Sequence, residues 1–304
     1  MTLLVLGASG FLGNQLVAQL RNSGKDVIGT KRTVLSQEGL FQVDLGVHHE
    51  HEKIDFLIKK FKVTHLINMA ASDVNPSGRR ETENGESALF FENLNTVLGI
   101  NKDVRLLHIG TSALNKKEDS YFATKQQLKK LFAETATRSQ IAVLDLPKVV
   151  GPGEPLGRFT SNFMQALING EKQIVLHPCH KRNFMAVASV VKMIMQIITT
   201  WKSGGSEFPE YKAQVLSNYE ITRLVLKLSG EDFRKVLFGH TLSNTGCDIC
   251  PSNEAALLVR PEFFDLKEIK YFAMAEKQSV QESLLEQYRD LSIKLINSKR
   301  DGCN

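Results

Sequence analysis

The chain opens with a change of period. A short apolar run, Leu3 to Leu6, stops at Gly7, and the apolar positions then take helical spacing, with Leu12, Leu16, Val17 and Leu20 on one face. This predicts a strand feeding a helix through a glycine turn. The alternation continues: Val27 to Thr30 reads as a second strand, Phe41 to Leu45 as a third, His51 to Phe61 as a helix, His65 to Met69 as a strand, Glu86 to Leu98 as a helix and Arg105 to Gly110 as a strand. Strands that alternate with helices predict an α/β fold around a doubly wound parallel sheet.

Residues 72–85, with Pro76, Gly78, Gly85 and several charges, read as a loop over the carboxyl ends of the strands, where such sheets bind ligands. A further helix is predicted from Tyr121 to about Ala136. After Leu146-Pro147 the turn Gly151-Pro-Gly153 leads away from the first half. Short elements follow at Arg158–Asn169, Gln173–Leu176, Ala186–Trp201, Tyr211–Leu216, Glu220–Ser229 and Lys235–Gly239, and an amphipathic helix at Val280–Leu295. The expected division is a dinucleotide-binding domain over 1–150 and a second, mainly substrate-binding α/β domain over 151–304, with some segments free to return to the first core.

Composition narrows the class. With 304 residues, 42% hydrophobic and 23% charged, the chain is long enough for one large or two modest globular domains. The net charge of +5 comes from dispersed pairs such as Lys59-Lys60 and Lys129-Lys130, the pattern of solvated helix faces, so no nucleic-acid partner is expected. No apolar stretch reaches membrane-spanning length, since Val187–Ile198 contains Lys192, and no basic leader precedes the first apolar run. The expectation is a cytoplasmic protein without membrane contact. Four cysteines at this length do not make a disulfide framework. Cys247-Asp-Ile-Cys250 and His177-Pro-Cys179-His180 have metal-like spacing, but structural zinc needs two such half-sites brought together. These read as loops, and His48, His49 and His51 as a solvated cluster at a helix start. No metal is expected.

The opening turn carries the first chemistry. Gly7 allows the tight turn, Gly10 lets a phosphate reach the backbone without meeting a Cβ, and Gly13 lets the helix lie close on the strand. The N–H groups at the helix start then attract an anion. Lys31 and Arg32 follow the second strand directly; an acidic residue there would bind the ribose 2′-hydroxyl of NAD, whereas basic residues accept the 2′-phosphate of NADP. Tyr121 and Lys125, four apart on a predicted helix, share one face.

In combination these features resemble an extended short-chain dehydrogenase/reductase of the NAD-dependent epimerase/dehydratase family, whose core is a Rossmann-type sheet. The matched stretches are Gly7-Ala-Ser-Gly10-Phe-Leu-Gly13, Asp44-Leu45, Asn68-Met-Ala-Ala71, Ser112, Tyr121-Phe-Ala-Thr-Lys125, Gly151-Pro-Gly153 and Arg182-Asn-Phe184, in family order up to about residue 190. The resemblance implies cofactor contacts from Gly7, Ser9, Gly10, Phe11, Leu12, Gly13, Lys31, Arg32, Asp44, Leu45, Met69, Ala70, Ala71, Tyr121 and Lys125. It makes Tyr121 the general acid/base, Ser112 the hydroxyl that holds the substrate oxygen, Lys125 the ribose-binding cation, and Arg182 the ligand of a substrate diphosphate. Arg260 is a further candidate without a motif.

Two departures matter. Asp145 and Lys148 stand where the family often has arginine and asparagine, and no Asp-Glu pair follows Thr111 or Ser112, so the 4,6-dehydratase signature is missing. Length and layout are similar to CDP-abequose synthase-like reductases. The expected activity is therefore NADPH-dependent reduction of a nucleotide-linked 4-keto-6-deoxy sugar. An epimerase with a recycled cofactor and a non-catalytic NADP-binding regulator are the alternatives. The resemblance also implies a homodimer, built on the helices near Glu86–Leu98 and Tyr121–Ala136.

Overall fold

A computed structural model describes residues 1–33, 39–70, 84–112, 129–132, 134, 140–176, 178–202, 207–230, 236–239, 258–263, 270–274 and 279–301. Strand β1 (Thr2–Leu6) runs into α1 (Phe11–Asn22), followed by β2 (Asp26–Lys31), β3 (Leu40–Gln42), α2 (Glu50–Phe61), β4 (Val63–Asn68), α3 (Asn84–Ile100), β5 (Arg105–Thr111), β6 (Ile141–Leu146) and β7 (Lys148–Val150). Then come α4 (Phe159–Ile168), β8 (Gln173–Leu176), β9 (Lys181–Ala186), α5 (Val187–Lys202), β10 (Glu207–Lys212), β11 (Gln214–Ser217) and α6 (Asn218–Ser229). The chain ends with β12 (Val236–Gly239), β13 (Leu258–Val259), β14 (Pro261–Phe263), β15 (Lys270–Met274) and α7 (Val280–Asp301).

The chain divides into two compact units, one formed by 1–146, 191–210 and 259–273, the other by 147–190, 211–258 and 274–304. The first unit holds a seven-stranded sheet in the order β14-β6-β5-β4-β1-β2-β3. Its first six strands are parallel and β14 joins β6 antiparallel. The strand order 3-2-1-4-5-6 is the Rossmann arrangement, so the predicted fold class is observed. Successive strand residues face opposite layers. Leu4, Leu6, Ile28, Leu66, Leu106 and Val143 pack with Ile54, Leu57 and Ile58 of α2 and Phe90, Leu94 and Val97 of α3. His65, with the opposite parity on β4, meets Trp201 of α5 edge-on at 6.2 Å between ring centroids. Burial holds the His65 imidazole down at about 4, with Arg105 and Lys202 acting in the same direction.

Strand β3 is shorter than the Phe41–Leu45 run predicts. Val43 still donates to the Lys31 carbonyl at 3.0 Å, but Asp44 then folds the chain back by accepting from Gly46 N–H at 3.1 Å. The predicted Tyr211–Leu216 element is two strands in different sheets, β10 between β13 and β15, and β11 beside β9. In the second unit β7 and β9 pair in parallel, β11 and β9 antiparallel, and β8 pairs with β12 in parallel. Its core gathers Phe163, Met164 and Leu167 of α4, Ile221, Val225 and Leu226 of α6, and Val280 and Leu284 of α7.

Among the described residues no helix is long and apolar enough to cross a membrane.

Candidate functional site

The glycine turn is fastened to its neighbours mainly by backbone, with one side-chain bond from Thr30. Gly7 adopts φ +76, a conformation L side chains rarely take, and a Cβ there would lie 2.9 Å from the Ala70 nitrogen. A Cβ on Gly13 would collide with the Gly7 carbonyl oxygen, so α1 can lie on the turn only with glycine at 13. Gly10 N–H donates to Gly7 O at 3.0 Å, Ala8 N–H to Thr30 O at 2.9 Å, and Gly7 N–H to Thr30 Oγ1 at 3.3 Å. These bonds tie the turn to the end of β2, which places Lys31 and Arg32 beside it.

Helix α1 begins at Gly10 with no side-chain cap and no acidic residue in its first turn. Its positive end is thus left to an external anion. Ser9 and Gly10 are exposed, and Phe11 and Leu12 are half-buried in the first turn of the helix. Lys31 is only 6% exposed, and no ion pair links it to a carboxylate among the described residues. A cation held there without a carboxylate neighbour suits an incoming anion; Arg32 is exposed. The residues present thus fit a dinucleotide with its diphosphate at the start of α1.

The other wall comes from β3 and β4. Asp44 N–H donates to Glu50 Oε2 at 3.0 Å, and the Leu45 carbonyl accepts from Asn93 Nδ2 at 2.9 Å. Met69 N–H donates to Leu6 O at 3.0 Å. Asn68, fully buried, bends the chain at the end of β4 by accepting from Ala70 N–H at 3.1 Å while its Nδ2 donates to His108 Nδ1 at 3.0 Å. His108 Nδ1 therefore accepts, and its proton sits on Nε2. Asn68 stands in the matched stretch Asn68-Met-Ala-Ala71 without a role of its own, and Asn93 has no sequence signal as a site-shaping residue.

Ser112 lies just beyond β5, with its N–H and hydroxyl both donating to the Leu146 carbonyl, at 3.0 and 3.2 Å. Beside it, Asp145 of β6 lies over Gly110, where a Cβ would meet its carboxylate. Asp145 pairs with Lys129 at 3.3 Å, and Lys129 also pairs with Glu262 of β14. Burial alone would lower the Lys129 ammonium; the hydrogen bond to Glu262 and the charge of Asp145 outweigh it and hold the group above its ordinary value. The family's arginine position is thus occupied by a carboxylate that anchors Lys129. Tyr121, Lys125 and Ala71 lie outside the described residues.

In the second unit Arg182 is half-buried on β9 opposite Leu216 of β11. Arg260, in the first unit, pairs with Glu210 at 3.6 Å. Cys179 is exposed, and Cys247, Cys250, Cys303 and His177 lie outside the described residues.

With the turn, the strand order and the β2 terminus in place, comparison with known families decides the assignment. The model of the NAD dependent epimerase/dehydratase family matches residues 3–208. The chain belongs to that family. Members of this family are oxidoreductase-type enzymes that use a nicotinamide cofactor. Direct sequence comparison with curated proteins finds no match. Among solved structures, a dTDP-glucose 4,6-dehydratase from Bacillus anthracis in complex with NAD superposes with a TM-score of 0.70 at 12% identity, over 95% of this chain and 96% of that one. A UDP-glucose 4-epimerase from Thermotoga maritima with UDP-glucose gives 0.69 at 14%, over 97% and 100%. A UDP-glucuronic acid 4-epimerase from Bacillus cereus, in complex with UDP-glucuronic acid and NAD, gives 0.68 at 16%, over 97% and 100%. At these identities the likeness establishes the fold.

Proposed function

We propose that this family member is an NADPH-dependent reductase of a nucleotide-linked 4-keto-6-deoxy sugar. The observation that carries the cofactor choice is the end of β2, where Lys31 is buried without a carboxylate partner among the described residues and Arg32 stands next to it. The absence of an Asp-Glu pair after Ser112 argues against dehydration. NADPH, when bound along the α1 turn, supplies a hydride for the keto carbon.

The chain's own groups handle the oxygen. Ser112 holds it by hydrogen bond, turning its hydroxyl away from the Leu146 carbonyl, and Tyr121 donates the proton. A tyrosine of ordinary value near 10 transfers protons poorly at neutral pH. Lowering it by about three units takes roughly 4 kcal/mol of differential stabilisation of the phenolate, which the Lys125 ammonium helps to supply. Arg182 offers a two-pronged donor for the substrate diphosphate. The active form in this reading is a cytoplasmic homodimer.

The test is calorimetric titration with NADPH and NADH, followed by assay of 4-keto sugar nucleotides. The reading expects NADPH to be preferred at least tenfold, about 1.4 kcal/mol, a preference that collapses when Lys31→Gln and Arg32→Ala are combined. Tyr121→Phe should reduce turnover by about a hundredfold or more with NADPH affinity unchanged. A second reading, an epimerase that recycles bound NAD, is favoured by the NAD and UDP-sugars in the solved structures that superpose on this chain. NAD retained through purification, with product formed and no NADPH consumed, would replace the first reading by the second.

A further inference from the structure

The start of α2 carries a donor set that the dinucleotide site does not use. We propose that His49, His51 and Glu52 form a binding site for a divalent transition-metal ion of the zinc class. One ligand atom from each of the three lies within 4.8 Å of the other two. The His49 and His51 ring centroids are 6.0 Å apart.

What singles this cluster out is the way one imidazole is held. Asn93 of α3, 2% exposed, donates through Nδ2 to the Leu45 carbonyl at 2.9 Å and the Val47 carbonyl at 2.7 Å. Two carbonyl acceptors fix the orientation of that amide, so Oδ1 faces α2. It accepts from His51 N–H at 3.1 Å and lies 3.0 Å from His51 Nδ1. An amide oxygen carries no proton, so Nδ1 must carry one, and the lone pair of His51 is thereby placed on Nε2. A ligand imidazole whose other nitrogen donates to a buried carbonyl-type oxygen is the usual second shell of a protein-bound zinc. Two nitrogens and one carboxylate oxygen suit zinc, nickel or copper, whereas magnesium and calcium take oxygen ligands.

Tetrahedral zinc asks for ligand atoms about 3.4 Å apart, so the three must close up from their present spacing. His49 and Glu52 are exposed and His51 is half-buried, so the contraction needs only surface side-chain rotation. Water fills the fourth position.

The experiment is calorimetric titration of the full chain, stripped with a chelator and dialysed, with Zn2+ alone. The proposal expects one ion per chain with a dissociation constant on the order of micromolar, weakened at least tenfold in the double variant His49→Ala/His51→Ala and unchanged in Cys247→Ser/Cys250→Ser. A matching urea midpoint confirms that each variant is folded. Co2+ in place of Zn2+ should give visible bands without thiolate charge transfer, and Mg2+ in excess should not compete. Absence of zinc binding, binding that survives the histidine variant, or binding lost with the cysteines would each overturn the assignment. None of these readouts depends on the cofactor or the sugar, so the site stands or falls apart from the reductase reading.

Discussion

Two glycine turns, one in each unit, solve opposite problems with the same residue type. The turn from Gly7 to Gly13 is built mainly by backbone contacts and ends at a helix whose first turn has neither a side-chain cap nor an acidic residue. The turn at Gly151-Pro-Gly153 is stitched by side chains. Gly151 N–H donates to Gln287 Oε1 at 3.2 Å, Gly153 N–H to Asp290 Oδ2 at 3.3 Å, and Ser283 Oγ to the Val150 carbonyl at 2.8 Å. Behind them the buried Glu154 carboxylate accepts from Thr160 and, at 2.6 Å, from Gln287. Glycine thus marks close approach in both places, but only the first turn runs directly into a helix start, since α4 begins at Phe159, beyond the second turn. What separates a binding turn from a structural one is where the backbone donors go.

Gly13→Ala sets a Cβ against the Gly7 carbonyl and should cost about 3 kcal/mol in urea unfolding, with loss of dinucleotide binding. Gly151→Ala meets Val187 and Ser283 at a φ of +147 and should destabilise as well, but leave the dinucleotide affinity of the folded fraction unchanged. Gly10→Asp sharpens the contrast. At φ −74 the backbone suits any residue, and a Cβ would sit 3.2 Å from Gly7 O. The carboxylate caps α1 and repels the diphosphate, so NADPH affinity should fall by about a hundredfold, near 2.7 kcal/mol, while the tight Cβ contact offsets the cap and keeps the urea midpoint close to the parent's.

Helix α6 supplies the control for an occupied helix end. Ser217 accepts from Glu220 N–H at 3.1 Å and Glu220 accepts from Ser217 N–H at 2.7 Å, a complete capping box. Ser217→Ala should cost about 1 kcal/mol with no change in dinucleotide affinity.

Burial pushes the Glu154 carboxyl up, against the hydrogen bonds and the Arg158 charge that pull it down. A raised carboxyl binds its proton more tightly in the folded state, so its contribution is present in full below the unfolded carboxylate value and is lost as pH rises through the folded one. Glu154→Gln keeps an acceptor for Thr160 and Gln287. Its urea midpoint, relative to the parent protein, should therefore improve between pH 4.5 and 7.5; a constant difference would sink the idea.

The parts of this architecture written in local pattern were readable from the sequence. The period change at Gly7 located β1 and α1, and the run 186–201 marked α5, observed over Val187–Lys202. Strand β14 left no such trace: three residues beginning with proline carry no periodicity, and their partner β6 lies far upstream. Asn93, Glu154 and Gln287 were invisible for a different reason, and Asn68 was legible only as part of a motif. A single polar residue reads as surface, and only the fold shows that each is buried and bonded on several sides. Lys31 was legible as a charge at the right place, but its burial was not.

The antiparallel edge strand has a consequence for how the molecule is made. Residues 261–263 cover β6, and Glu262 reaches Lys129, so the sheet stays open on that side until synthesis has passed Pro261. A nascent chain carrying β1 to β6 presents a bare row of amides and carbonyls, the feature that recruits other strands. Protein production therefore has a late, sequence-distant commitment point. A chain ended before Leu258 is expected to emerge with the whole α1 turn and β1 to β6 in place and still be lost to aggregation.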